Sequence, residues 1–222
     1  MRGLLRLMGI KLLQRTDDML PAKVIAYNKA TNLATIQPMI MVVTTDGQSI
    51  ARAQVAAVPV YKISSGGFII NFPVKPGDLG WIKANDRDIS SFVSTYAMAS
   101  PNTQRKHSFK DAMFYPQAAW DLVSISEEDS ANLVLQNYAG TCKISISETN
   151  VTVTAPNGVL FDTPVATFTG IIDVQNNNGE STPCTVNGNI VTNGDVIASG
   201  TSLHTHKHGG VMTGGGDTGV PI

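Results

Sequence analysis

Cysteine is nearly absent from this chain, with only Cys142 and Cys184 among 222 residues. That excludes a disulfide-stapled scaffold. The two cysteines lie 42 positions apart with no metal-type spacing, so both are expected reduced and packed. Charge is also scarce. Asp, Glu, Lys and Arg make up 15% of the chain, against about a quarter in an ordinary domain. Aromatic residues make up 6%, while Gly and Pro number 20 and 11. Such a composition argues against a mainly helical enzyme and for strands joined by turns.

Long apolar runs are missing as well. The stretch MRGLLRLMGIKLLQRTDD carries Leu4, Leu5, Met8 and Leu12 at helical spacing, but Arg6 and Lys11 interrupt it. It falls short of the roughly 20 apolar residues of a membrane span and lacks the form of a secretory signal. Residues 1–20 are therefore expected to form an amphipathic helix or arm, on a chain made in the cytoplasm.

The most informative absence is of basic residues in the second half. Lys143 is the only one between 121 and 200. Residues 1–120 hold fourteen Lys/Arg against seven Asp/Glu, for +7; residues 121–222 hold two against ten, for -8. Two regions of different character share the chain.

The first region reads as short strands. AKVIAYN, LATIQPMIMVV, IARAQVAAVPVYKI, FIINFPV and LGWIKAN are separated by turns at 28–32, Asp46-Gly47, 64–67 and 75–78. About five strands with tight turns predict a small closed β-barrel of the OB type over residues 21–100. Residues 101–120, PNTQRKHSFKDAMFYPQAAW, are irregular and aromatic-rich, which suits a linker packed on the barrel.

The second region, 121–200, is a series of very short alternating strands broken by Asn, Gly and Pro. Its aromatics are Tyr138, Phe161 and Phe168. One chain of such strands cannot bury an apolar face. Stacking around an axis can, and Gly188-Asn189-Ile190 recurs six residues later as Gly194-Asp195-Val196. An intertwined β-prism of several identical chains accounts for the irregular repeat better than a single-chain solenoid. The simpler alternative is a β-sandwich.

The end of the chain, TSLHTHKHGGVMTGGGDTGVPI, places His204, His206 and His208 at spacing two. On a strand that spacing puts three imidazoles on one face, and neutral imidazole ligates transition metals. The alternative is a polar tract. A dinuclear hydrolase would need further ligands, yet no His follows His208 and His107 is a hundred residues away. Two His from each of three chains would instead give six nitrogen donors, a set suited to iron or another octahedral metal.

With these segments in order, the chain resembles the central membrane-piercing spike of contractile phage tails and related particles. VIAYNKATNLATIQPMI and VPVYKISSGGFIINFPVKPGDLGWIKANDRDIS resemble the family's N-terminal barrel, RKHSFKDAMFYP its exit motif, and HTHKHGGVMTGGGDTGVP its apex. The resemblance implies an all-β homotrimer. An OB-fold collar leads into an intertwined β-helix shaft over 121–200 and a metal-tied apex over 201–222. It implies one iron ion per trimer on the threefold axis, held by His204 and His206. The role of the third histidine, His208, stays open. Implied partners are baseplate hub or tail-tube proteins and, transiently, the host outer membrane; the implied location is the virion's tail tip. No inserted wall-degrading domain is present, so no catalytic residue is expected.

The competing function is a single-stranded nucleic-acid-binding OB protein, since the first half is positive. Phe68, Phe72 and Trp81 lie in apolar contexts and are expected in the core, which argues against a nucleic-acid partner. An enzyme reading rests on the histidines alone and fails on ligand count.

Overall fold

A computed structural model describes residues 16–117, 124–175 and 184–207, with Gly210 and Gly214. The expected helix over 1–20 lies outside these except for its last five residues. Those five lead straight into a strand. The chain divides into two units, Met1–Val159 and Leu160–Ile222, and the described residues are almost all β.

In the first unit, β1 (Met19–Asn28) turns into β2 (Leu33–Pro38). The Asn28 side chain accepts hydrogen bonds from the amides of Ala30 and Thr31 at the turn, a role suited to a short polar side chain. The stretch 33–43, expected as one strand, breaks at Pro38. Beyond it, β3 (Val42–Val43) pairs with β4 (Ser49–Ile50) in a separate hairpin around Asp46-Gly47. Next come β5 (Val55–Pro59), β6 (Ile63–Ser65), β7 (Phe68–Ile70) and β8 (Leu79–Asn85). A short helix, α1 (Ser90–Thr95), precedes β9 (Ser108–Pro116).

Five of these strands form one antiparallel sheet in the order β5-β2-β1-β8-β9. Its two edges meet. Val60, just after β5, bridges Phe114 of β9, and the Tyr61 amide donates to the Phe114 carbonyl at 2.8 Å. The result is a nearly closed barrel-like sheet. Alternation places Val24, Ile36, Ile82 and Phe114 fully inside, with Val58, Val60, Val74 and Phe109 beside them. Each such side chain contributes about 1.5–3 kcal/mol by leaving water.

Two sequence-based expectations change here. Within the expected linker 101–120, Ser108–Pro116 does not lie on the barrel but forms β9, its fifth strand. Phe109, Ala112 and Phe114 face inward there, and an apolar edge strand is stabilised by joining the sheet that shares its core. Phe68 and Phe72 are not core residues either. Phe68 is 83% exposed on the β6–β7 hairpin, Phe72 is also exposed, and Trp81 is half-buried with its indole N–H on Gln117. The hairpin pairs only with itself, so its side chains have no second layer to cover them.

Further along, β10 (Leu133–Gln136), β11 (Lys143–Ile146) and β12 (Val151–Thr154) form a three-stranded antiparallel meander. Before it, a 3-10 turn at Glu127–Asp129 delivers the buried Asp129 carboxylate to Lys143 Nζ, Ser145 Oγ (2.6 Å) and Ser126 Oγ (2.9 Å). Between Thr154 and Ile197 the described residues contain no strand, where short strands were expected. Among the described residues no strand pairs with them. Cys142 and Cys184 are free but exposed, so neither has the packing role expected of it.

Among its described residues, the second unit carries one hairpin, β13 (Ile197–Ala198) with β14 (Thr201–Ser202). None of its described side chains is buried. Ile171 is 98% and Val191 88% exposed.

Candidate metal centre

Ser199 and Gly200 join β13 to β14 with φ of 50° and 82°. Positive φ at both central residues marks the two-residue hairpin turn whose twist matches its strands. Ile197 pairs with Ser202 and Ala198 with Thr201. The Leu203 amide continues the ladder onto the Val196 carbonyl at 2.9 Å. One step further in this register, Asp195 stands opposite His204. Here a side chain replaces the main-chain acceptor: Asp195 Oδ1 accepts the His204 amide at 3.0 Å.

After β14 the chain leaves the extended conformation. Ser202 Oγ accepts the Thr205 amide at 2.9 Å, and the Ser202 carbonyl accepts the His206 amide at 3.1 Å. This is one helical turn capped by a serine. His204 and His206 therefore sit in a turn, and the shared strand face expected from their spacing is not formed. In a helical turn, residues two apart do not face one another. His208 lies outside the described residues.

His204 and His206 are both exposed. His206 Nδ1 lies 3.1 Å from the Ser202 carbonyl and 3.0 Å from that of Leu203. Carbonyl oxygens only accept, so Nδ1 carries the hydrogen, and in the neutral ring Nε2 carries the lone pair. A backbone contact of this kind is how ligating histidines have their tautomer set. The tautomer of His206 thus fits a metal ligand that binds through Nε2. Among the described residues, no group of three or more His, Cys, Asp or Glu is placed to hold a metal within one chain.

The Asp195 carboxyl is held below the usual carboxylate range, first by the Ser202 hydroxyl and then by the His204 amide. Asp195 was not singled out as a site residue from the sequence. Its signal was the symmetric spacing about Ser199-Gly200, which puts position 195 across from 204 once the turn is recognised.

Two families match the chain. Residues 20–117 match the Phage protein Gp138 N-terminal domain, and residues 200–221 match the GpV Apex motif. The pair is characteristic of phage baseplate central spike proteins. No curated protein sequence matches the chain. The barrel-like sheet and β9 fall inside the first match, and β14 with His204 and His206 fall inside the second. Both families are structural components of phage tails, and a baseplate component belongs to the virion.

Proposed function

We infer that this protein is a homotrimeric spike that tips the tail tube and pierces the host outer membrane during contraction. One observation carries the reading. From Leu160 to Lys207 no described side chain is buried, although Leu160, Phe161, Ile171, Val186, Ile190 and Val191 are large and apolar. Monomeric proteins rarely expose so much contiguous apolar surface. Strands that lack partners in their own chain find them in copies of it, and the ordering entropy is offset only when those faces close.

On this reading the nearly closed sheet is an OB-fold collar that meets baseplate hub or tail-tube proteins. Residues 121–200 wind with two other copies into a β-helix shaft, and 201–222 form the apex. The uncharged β6–β7 hairpin, with no ionisable residue between Lys62 and Lys75, suits burial against protein better than contact with a phosphate backbone. His204 and His206 from three chains supply six imidazole nitrogens to one iron ion. A metal there ties three chain ends that would otherwise fray. No catalytic step is assigned.

Light scattering on the purified protein tests the assembly. The expected mass is about three times the 23.6 kDa chain, with resistance to SDS without heating. A monomer overturns the reading. Elemental analysis tests the apex, with about one iron per three chains expected from the symmetry. The His204→Ala, His206→Ala double variant should lose the metal. One metal per chain, or a double variant that keeps its iron, overturns the shared site.

A further inference from the structure

The geometry points to Asp195 as the positioning residue of the apex: its carboxylate sets the backbone of His204 and so presents that imidazole to the metal. The inference rests on the metal reading above, and Asp195 lies outside the matched apex motif, which begins at residue 200.

The contact is a specific one. The register of β13 and β14 places residue 195 across from 204, but the ladder of main-chain bonds stops at Leu203 and Val196. At the next step the Asp195 side chain folds in and accepts the His204 amide at 3.0 Å. Ser202 Oγ meanwhile accepts the Thr205 amide and lies 2.9 Å from Thr205 Oγ1. Asp195 and Ser202 together therefore accept the amides of His204, Thr205 and His206, the turn that holds both histidines.

A six-residue hairpin with no buried side chain has little packing to hold it. Side-chain to backbone bonds are then what distinguish one turn conformation from its alternatives. Charge-assisted bonds from a carboxylate to a backbone amide are stronger than neutral ones. Asp195 supplies such a bond at the first ligating residue. Partners of metal-ligating residues contribute in this indirect way, and losing one costs about 10–100-fold in affinity.

Three measurements on the full-length protein test this. The first is hydrogen exchange at the His204 amide in metal-free protein, which reads the contact without reference to iron. Asp195→Ala should accelerate it by at least about tenfold, while Asp195→Asn, which keeps one acceptor oxygen, should fall between. The second is the rate of iron loss to a chelator, expected to rise about 10–100-fold in Asp195→Ala, less in Asp195→Asn and not at all in the Asp173→Ala control. The third is the molar mass, expected unchanged in every variant. Iron loss at the wild-type rate from Asp195→Ala, or unchanged exchange at His204, overturns the positioning role. A wild-type protein that binds no iron overturns the metal reading instead, with the exchange experiment still deciding whether Asp195 holds the turn.

Discussion

Phe114 packs against the bare backbone of Gly80. A methyl group at Gly80 would fall 2.6 Å from Phe114 Cζ and 2.3 Å from the Tyr115 carbonyl oxygen. The first contact involves a ring that is itself wholly buried, and the second a strand backbone fixed by the β8–β9 ladder. Neither can yield cheaply. Gly80→Ala should therefore destabilise the barrel by at least the roughly 1–3 kcal/mol of a typical overpacked core. Phe114→Ala should cost about 3–5 kcal/mol by leaving a cavity. Urea denaturation followed by Trp81 fluorescence measures both, and a neutral Gly80→Ala would show that the strands separate easily.

Acid should weaken the loop that joins β8 to β9. Arg105 there forms a bidentate pair with Asp111 at 2.9 and 3.0 Å and reaches Asp88 at 3.0 Å. Asp88 also accepts Thr103 Oγ1 at 2.6 Å and the Ser90 amide at 2.9 Å. Hydrogen bonds from Ser90 and Thr103, and then the Arg105 charge, hold the Asp88 carboxyl well below its ordinary range. A depressed carboxylate stabilises the fold above its unfolded value of about 3.9 and loses that contribution as pH falls through the folded value. The melting temperature should be flat in this respect above about pH 5 and fall below about pH 4. Asp88→Asn should melt lower at neutral pH and change less between about pH 4 and 2. An acid limb identical to the wild type's would remove Asp88 from the explanation.

Asp129 and Lys143 should behave as a coupled pair. Asp129 is buried and held low chiefly by Lys143, with Ser145 and Ser126 next. Removing only the aspartate strands a half-buried ammonium beside β11, whereas removing both leaves neither group in need of a partner. Amide exchange in β10, β11 and β12 should accelerate more in Asp129→Leu than in Asp129→Leu with Lys143→Met. Additive effects in this cycle would mean that the pair is not coupled.

The scarcity of cations beyond residue 120 should keep this part of the chain off anionic lipid. Thr167 and Thr169 are exposed. Replacing both with Lys should increase retention on vesicles containing phosphatidylserine, by about 1 kcal/mol per added lysine at low salt. Retention equal to the wild type's would separate the charge asymmetry from membrane passage.

Much of this was legible in the sequence because it depends on local chemistry. Asp46-Gly47, Gly66-Gly67 and the Pro-Gly of residues 76–77 turn the chain where their backbone preferences require it. Alternation along β1, β2 and β8 marks one inward face. The charge split and the paired histidines are properties of order and composition, and they led to the spike proteins before any contact was known.

What only the tertiary structure decided depends on partners distant in the chain. SFKDAMFYP read as part of a linker because nothing local says that Phe114 will meet Gly80, 34 residues earlier, or that Arg105 will neutralise the buried Asp111. The same apolar character put FIINF in the expected core, whereas β6 and β7 pair only with each other and leave Phe68 in solvent. His204 and His206 were expected on a strand by their alternation, but Ser202 caps a helical turn and Asp195, nine residues back, takes the amide that a strand would have used. Turns and periodicity follow from each residue's own conformational preferences. Burial, charge pairing and the presentation of a ligand follow from which segments meet, and that is a property of the folded chain.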